Sequence, residues 1–454
     1  MSDPGRHAAI QTRKYVSVKR TYYKINVIHI KTLEKLCIVF PIWRDIIDAE
    51  TVLGGDLMLT LEMVREAQEA LRDIARRTPL DRAPKFGENV YIKAENLQLT
   101  GAFKLRGAYN KIRSLTPEEA ARGVIACSAG NHAQGIALSA SRLGIKAVIC
   151  MPAGAPISKV EATRGYGAEV VLVPGVYDDA AAEAERLTKE HGYTFAHPFN
   201  DPLVIAGQGT IGLEILEQLP EVEQIVVPIG GGGLIGGVAF AVKQLKPDCR
   251  IVGVQAAGAA SMYLSRHAGG PTELRSVATI ADGIAVKKPG DLTFALCQQY
   301  VDEIVTVSED EIASAILALM EGQKTVAEGA GAVPVAAVMF GKVDTSEKKT
   351  VCLVSGGNVD VTTLSRIITK GLIKSGRITE ITTKVEDKPG TLLQLLQVVA
   401  DSGANILSIN HAREDRQSDV GACMVSMVLE TRDAAHVEQI RQGLHALGYV
   451  LAGE

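Results

Sequence analysis

The sequence predicts an α/β protein built on doubly wound, mostly parallel sheets, followed by a small α+β module of the ferredoxin-like kind. Three observations carry that expectation. From Val90 to Ser355 short apolar runs alternate with helical patterns, the order that parallel βαβ units require. Glycine is abundant at 44 residues while aromatics make up only 4%, which favours tightly packed α/β layers over a β-sandwich. After residue 375 the register changes to a βαββαβ order that runs to residue 454.

The elements follow in order. Leu61, Val64, Ala67, Leu71 and Ile74 share one helical face, and that helix must end before Thr78-Pro79. Val90–Lys93 reads as a strand. Strands at Val124–Cys127, Ala147–Met151 and Glu169–Val173 alternate with helices at Ala133–Arg142, Ile157–Tyr166 and Ala180–Glu190. After Asp201-Pro202 comes a long helix to about Gln218. Strand Gln224–Pro228, a glycine loop, a helix to Leu245, strand Ile251–Gln255, helix Glu309–Met320 and strand Val351–Ser355 complete this part. In the last module, strand Ile378–Val385 turns at Lys388-Pro389-Gly390 into helix Leu392–Val399. Strands Asn405–Asn410 and Val420–Glu430 then flank the charged loop Arg413–Asp419. A helix with Val437, Ile440, Leu444 and Leu447 on one face leads to a last strand near Tyr449–Leu451.

The chain of 454 residues is too long for one ordinary domain. We expect an extension over 1–57, a main domain over 58–375 and the small module over 378–454. The extension stands apart: its first forty residues hold eight Lys or Arg against Asp3 and Glu34, and it carries the only tryptophan, Trp43. Such a basic, acid-poor composition would suit an organellar transit peptide, but serine enrichment and amphipathic repeats are missing. Composition favours a poorly ordered extension or an overlong start.

Net charge is −4, which gives no electrostatic footprint for nucleic acid. Seven cysteines without CxxC spacing read as buried small hydrophobes of a reducing, cytoplasmic compartment rather than a disulfide or zinc framework. The uncharged run from Ile225 to Val242 is nearly long enough for a membrane span, but Gly230–Gly233 in its middle breaks one continuous helix. It divides into a buried strand, a loop and a buried helix, so no membrane partner is expected.

The chemistry centres on Lys104, set between Phe103 and Leu105 after a glycine turn. An ammonium among apolar side chains is desolvated, which lowers its pKa and frees an amine suited to a Schiff base with a carbonyl cofactor. Most lone lysines of this kind merely lay their stems over an apolar face; the company of this one sets it apart. Gly230, Gly231, Gly232, Gly233 and Leu234 join an apolar strand to an apolar helix, where successive N–H groups and the helix N-terminus form a phosphate cup. The pattern is neither a Walker loop nor GxGxxG. Ser128-Ala129-Gly130-Asn131-His132, at a strand-to-helix junction, offers N–H groups for a carboxylate and an amide for a phenolic oxygen. Ser355-Gly356-Gly357-Asn358 adds a hydroxyl after another strand. Ligands of open α/β sheets bind at the carboxyl ends of strands, where these loops would gather. Together they describe a pyridoxal-phosphate site.

Thr100–Gly107, Ser128–Gly135, the tetraglycine loop, Thr279-Ile280-Ala281-Asp282-Gly283 and Ser355–Asn358 resemble the threonine/serine dehydratase family over roughly residues 58–374. The tail resembles one ACT domain, an amino-acid-binding regulatory module. The resemblance implies fold type II: two lobes of open twisted sheets, as in the tryptophan synthase β subunit, with the smaller lobe inserted at about 100–200. It implies pyridoxal 5′-phosphate as cofactor and deamination of L-threonine to 2-oxobutanoate, with L-serine slower. By the same resemblance Lys104 holds the cofactor and takes the Cα proton, Gly230–Gly233 and Leu234 bind its phosphate, Phe103 packs beside its ring, Asn131 bonds its 3-hydroxyl and Ser355 meets its pyridine nitrogen. Ser128, Gly130, Asn131 and His132 hold the substrate carboxylate.

The sequence departs from its relatives in places. Ala102 stands where many have serine. Related racemases carry a proton-donating serine where this chain has Ala129, which disfavours racemisation. Those racemases also bind a divalent cation through acidic side chains, whereas the matching Gln255 and Ser261 are neutral; no divalent metal is expected there, and a monovalent ion is left open. In the ACT module Pro389, Gly390, Leu392 and Asn405 match positions that line an effector pocket between paired modules, with isoleucine or valine the implied effector and a homotetramer the implied assembly. Serine or hydroxyaspartate deamination on the same scaffold, and an inactive amino-acid sensor, are the alternatives.

Overall fold

The computed structural model describes residues 59–413 and 420–452. The expectations for residues 1–57, and most of the loop Arg413–Asp419, lie outside the described residues.

Six strands form the larger sheet in the order β1-β2-β10-β7-β8-β9: β1 (Leu80–Arg82), β2 (Val90–Ala94), β7 (Gln224–Pro228), β8 (Arg250–Ala256), β9 (Glu303–Val307) and β10 (Thr350–Val354). All neighbours run parallel except β1 against β2. The strands β7 and β10 are buried along their whole length, as expected of strands covered on both faces. A second, wholly parallel sheet has the order β5-β4-β3-β6, from β3 (Val124–Cys127), β4 (Ala147–Pro152), β5 (Glu169–Val173) and β6 (Thr194–Phe195). The third sheet is antiparallel, β11-β13-β12, formed by β11 (Ile378–Glu386), β12 (Asn405–Ala412) and β13 (Ala422–Glu430).

Local chemistry sets the helix starts. Asp201 accepts from the Leu203 and Val204 N–H groups and Pro202 occupies the first turn of helix Pro202–Gln218. Ser308 and Glu311 form a capping box for helix Glu309–Gln323. Glycine lets helices touch: a Cβ on Gly207 would lie 2.6 Å from the Arg106 carbonyl and from the Gly107 Cα, so helices Pro202–Gln218 and Lys104–Ile112 meet backbone to backbone.

Three expectations in the last module are corrected. The strand at Tyr449–Leu451 is one isolated bridge, Thr383 to Leu451, rather than a fourth ladder. Leu447 follows the end of helix Ala434–Ala446 and is 60% exposed, because the helix stops before that residue can turn inward. Val420 lies outside β13 and is fully exposed. Helices Asp291–Tyr300, Gly329–Met339 and Val361–Lys374 and strand β9 were not legible in the sequence pattern. Helix Gly329–Met339 is buried all round and has no polar face to betray its period. Among the described residues no helix is long and apolar enough to cross a membrane, and all six described cysteines are buried and unpaired.

Candidate active site

Lys104 begins helix Lys104–Ile112, with Phe103 as its cap. The Phe103 N–H donates to the Ser355 carbonyl at 3.1 Å, tying the lysine turn to the end of β10. Lys104 Nζ donates to the Pro198 carbonyl at 2.9 Å and lies 5.3 Å from the Phe103 ring centre. Burial pushes its ammonium down to about 8, although the charge of Glu328 works the other way.

Residue 198 also links the lysine to the glycine loop, because the next residue walls that loop. A Cβ on Gly231 would fall 2.4 Å from the Phe199 ring, and one on Gly233 would fall 2.9 Å from the Phe199 backbone. Gly232 adopts φ 95° and starts helix Gly233–Leu245; a Cβ there would strike Met262 and Thr293 at 2.7 and 2.8 Å. The buried Thr293 Oγ1 donates to the Gly231 carbonyl at 2.6 Å, which fixes that carbonyl. Among the described residues no protein acceptor takes the N–H groups of Gly231, Gly232, Gly233 or Leu234. A side-chain-free cradle of unclaimed donors at a helix N-terminus suits a phosphate. With an amine held at the same Pro198-Phe199 wall, these residues fit pyridoxal phosphate.

His197 keeps that wall in place. Its Nδ1 accepts from the N–H groups of Phe199 at 3.2 Å and Asn200 at 2.8 Å, and its ring meets Phe199 edge-on. Burial, together with the positive charge of Lys104, pushes this imidazole down to about 4. His132 is likewise neutral, pushed down to about 3 by burial and by Lys104, and its Nε2 donates to the Ala196 carbonyl at 2.8 Å.

Ser128 follows β3, and its hydroxyl accepts from the Gly130 N–H at 3.2 Å, shaping the turn into helix Asn131–Leu143. The Asn131 amide lies between Glu328, to which Nδ2 donates at 2.7 Å, and Asn358, from which Oδ1 accepts at 2.8 Å. Ser355 is buried at the carboxyl end of β10. The loops after β2, β3, β7 and β10 thus supply the lysine, the Ser128–His132 turn, the glycine cup and Ser355.

A buried charge network holds the lysine helix from behind. Arg106 donates to Glu95 at 2.7 and 2.8 Å, and to both oxygens of Glu214, at 2.5 and 3.0 Å. Lys93 Nζ bonds Glu214 at 2.6 Å and the Thr78 carbonyl at 2.8 Å, while the Thr78 hydroxyl donates to Glu95 at 2.6 Å. Burial alone would raise the Glu95 carboxyl, yet the charge and hydrogen bonds of Arg106, with Lys93 and Thr78, hold it below the usual carboxylate range. Two acids and two bases leave the cluster neutral overall, the condition under which such burial is tolerable.

Sequence reasoning missed this network, the His197–Phe199 wall, Thr293 and Glu328. Glu328 had a signal: it is the one charged residue between Lys324 and Lys342. A lone carboxylate in such a stretch is either capping a helix or facing a ligand.

The proposed effector residues do not come together within one chain. Pro389, Gly390 and Leu392 follow the end of β11 that pairs with Ala422, whereas Asn405 pairs with Glu430, as does Ile378 at the other end of β11. Eight steps of about 3.4 Å separate those two ends of the sheet by roughly 27 Å. At the position where racemases hold a cation, Gln255 spends its side chain on Ile229, Ala259 and Tyr263, and the buried Ser261 hydroxyl has no partner among the described residues. Elsewhere the donor atoms of Asp387, His411 and Cys423 lie within 4.8 Å of one another, but Arg413 already holds the Asp387 carboxylate at 2.9 Å.

Residues 71–357 match the family model for pyridoxal-phosphate dependent enzymes, and residues 379–446 match that of the ACT domain. The chain is 52% identical over 396 residues to the L-threonine ammonia-lyase of Thermotoga maritima, covering 86% of this chain and 98% of that one. Its structure resembles the processed form of threonine deaminase isoform 2 from Solanum lycopersicum, with TM-score 0.66 and 41% identity over 70% of this chain and 89% of that one. It also resembles maize serine racemase, with TM-score 0.65 and 37% identity over 70% of this chain and 99% of that one.

Proposed function

The chain belongs to the pyridoxal-phosphate dependent enzymes, in the threonine ammonia-lyase branch with a carboxyl-terminal ACT domain, and from that premise we propose that it deaminates L-threonine to 2-oxobutanoate and ammonia. L-Serine, giving pyruvate, is the slower substrate. The observation that carries the proposal is the Pro198-Phe199 dipeptide, which holds the Lys104 amine on one side and walls the glycine cup on the other.

Pyridoxal phosphate, when bound, supplies an electron sink for the pair left as the Cα proton departs. The remaining work falls to this chain's residues. The N–H groups of Gly231 to Leu234 hold the phosphate. Asn131 would bond the ring 3-oxygen, and Phe103 would pack beside the ring. Ser355, buried at the end of β10, would partner the pyridine nitrogen, where a neutral hydroxyl would favour a less protonated ring than a carboxylate would. The Ser128–His132 turn takes the substrate carboxylate, with His132 neutral at working pH. The Lys104 amine, whose pKa burial lowers to about 8 so that a useful fraction is uncharged near neutrality, takes the Cα proton. The β-hydroxyl leaves as water, and water returns on hydrolysis to the 2-oxo acid and ammonia. Ala129 places no proton donor beside this turn, which argues against racemisation.

The ACT domain makes a small-molecule effector part of this reading, with isoleucine or valine the candidates. Because its pocket residues sit at opposite ends of one sheet, a complete pocket requires a second copy. Strand β12 is an edge strand and exposes Leu407 by 51% and Ile409 by 42%, an apolar rim suited to pairing with another ACT domain in a homotetramer. Buried, unpaired cysteines suit a cytoplasmic enzyme.

The test is release of ammonia and 2-oxo acid from purified protein given L-threonine, beside Lys104→Ala. Rapid 2-oxobutanoate formation that disappears in the variant supports the proposal. Bound cofactor with no turnover of threonine would overturn the substrate and direct attention to serine and hydroxyaspartate.

A further inference from the structure

Glu328 has the position of a helix cap but not the bond of one. It precedes helix Gly329–Met339 in extended backbone, and its side chain accepts from no N–H of the first turn. The carboxylate turns instead into the interior, where it is 3% exposed and accepts from Asn131 Nδ2 at 2.7 Å. Two glycines make its room: a Cβ on Gly356 would lie 2.5 Å from Glu328 Oε1, and one on Gly283 would lie 3.2 Å from it. The Glu328 N–H donates to the Gly356 carbonyl at 3.0 Å, so the residue is fixed to the loop that follows Ser355.

On the other side of Asn131, Asn358 Nδ2 donates both to the Asn131 Oδ1 at 2.8 Å and to the Thr100 carbonyl at 2.7 Å. A carbonyl can only accept, so Thr100 fixes which end of the Asn358 amide is nitrogen. That choice makes the neighbouring Asn131 atom an oxygen, and the Asn131 nitrogen then faces Glu328, whose carboxyl is pushed up to about 7 by burial and the charge of Asp282 and can only accept once ionised. A flipped Asn131 would set oxygen against carboxylate and nitrogen against nitrogen. Among the described residues one N–H of Asn131 is thereby left without an acceptor and aimed by its partners.

We propose that Glu328 is a positioning residue for the cofactor, which together with Asn358 locks the Asn131 amide so that its free N–H meets the ring 3-oxygen. This rests on the assignment of pyridoxal phosphate to the site. Without Glu328 the amide loses the acceptor that opposes its rotation, and the contact to the 3-oxygen becomes one of several orientations. The carboxylate acts on the cofactor through Asn131.

The experiment titrates cofactor-free full-length protein with pyridoxal phosphate, reading absorbance above 400 nm and cofactor fluorescence, for wild type, Glu328→Ala, Glu328→Gln, Asn358→Ala and Asn131→Ala. Loss of one oriented hydrogen bond predicts about tenfold weaker cofactor binding and a displaced absorption maximum in Glu328→Ala. Asn131→Ala should match it, and Glu328→Ala on top of Asn131→Ala should add nothing. Glutamine keeps an acceptor carbonyl for Asn131, so Glu328→Gln should restore affinity and spectrum to near wild type. Should Glu328→Ala fail to fold, Asn358→Ala, which opens the clamp from the other side, must give the same weakened binding and displaced band. Wild-type affinity and spectrum in Glu328→Ala, or in Asn358→Ala, would overturn the proposal. Wild-type protein that takes up no cofactor would instead overturn the reading on which it rests.

Discussion

Replacing Arg106 with methionine leaves two buried carboxylates facing one ammonium. In the native protein Arg106 makes four short bonds to Glu95 and Glu214 and is 1% exposed, while Glu95 is fully buried. After the substitution Glu214 keeps Lys93, but Glu95 keeps, among the described residues, one side-chain hydrogen bond, from the Thr78 hydroxyl, and the more distant charge of Lys93. Removing one partner of a buried pair costs about 3–5 kcal/mol, most of it the stranded charge. Against a net stability of roughly 5–15 kcal/mol that is a large fraction. At a urea dependence of about 3 kcal/mol per M, the midpoint falls by 1 M or somewhat more. Glu95→Gln combined with Arg106→Met removes the stranded charge, so the double variant should be more stable than the sum of the singles by about 1–3 kcal/mol. The pH sign follows from Glu95, whose carboxyl is held low in the fold. Its contribution is present above the ordinary carboxylate range and is lost as pH falls through its folded value, so only the wild type should show that acid-side loss. Urea unfolding of the four proteins, with catalytic turnover alongside, decides the matter. A midpoint shift under about 0.3 M for Arg106→Met, or strict additivity in the cycle, would refute the claim that this network braces the lysine helix.

Two further outcomes follow from the cup and the amine. Gly231→Ala drives a methyl to within 2.4 Å of the Phe199 ring, so cofactor binding should weaken at least about tenfold. Gly165→Ala, where nothing lies within 4 Å, should be neutral or slightly stabilising; equal cofactor titrations for the two would contradict the packing argument. Cofactor uptake by cofactor-free protein needs the neutral Lys104 amine, so its rate should climb with pH and level off just above 8. A rate still rising tenfold per unit at pH 10 would mean that burial does not lower this lysine.

The legible parts of the site were those whose chemistry is local in the chain. Four glycines between an apolar strand and an apolar helix announce a backbone cradle whatever surrounds them, and Lys104 stands out because its immediate neighbours are apolar. The sheets were legible for the same reason: β3, β5 and β7 have the bounds that their apolar runs suggest. What stayed hidden depends on partners far along the chain. Arg106 meets Glu214 across 108 positions and Asn131 meets Glu328 across 197, and no spacing rule reports such pairs. Helix Gly329–Met339 was hidden for the opposite reason, since burial on every side erases the contrast from which a period is read.

These hidden contacts explain why the visible ones work. A lysine among apolar neighbours has a lowered pKa only if the protein keeps water out and holds the amine still, and sequence context guarantees neither. Here the turn bearing Lys104 is tied to β10 through Phe103 and Ser355, its helix is braced by Arg106, and its amine is held by Pro198. Pro198 is fixed in turn by the loop that His197 folds, and His197 stays neutral because it is buried beside Lys104. A protonated His197 could not accept those two N–H bonds, and it would repel the lysine. The same burial that readies Lys104 as a base therefore keeps its supporting imidazole in the one charge state that can build the wall of the phosphate cup.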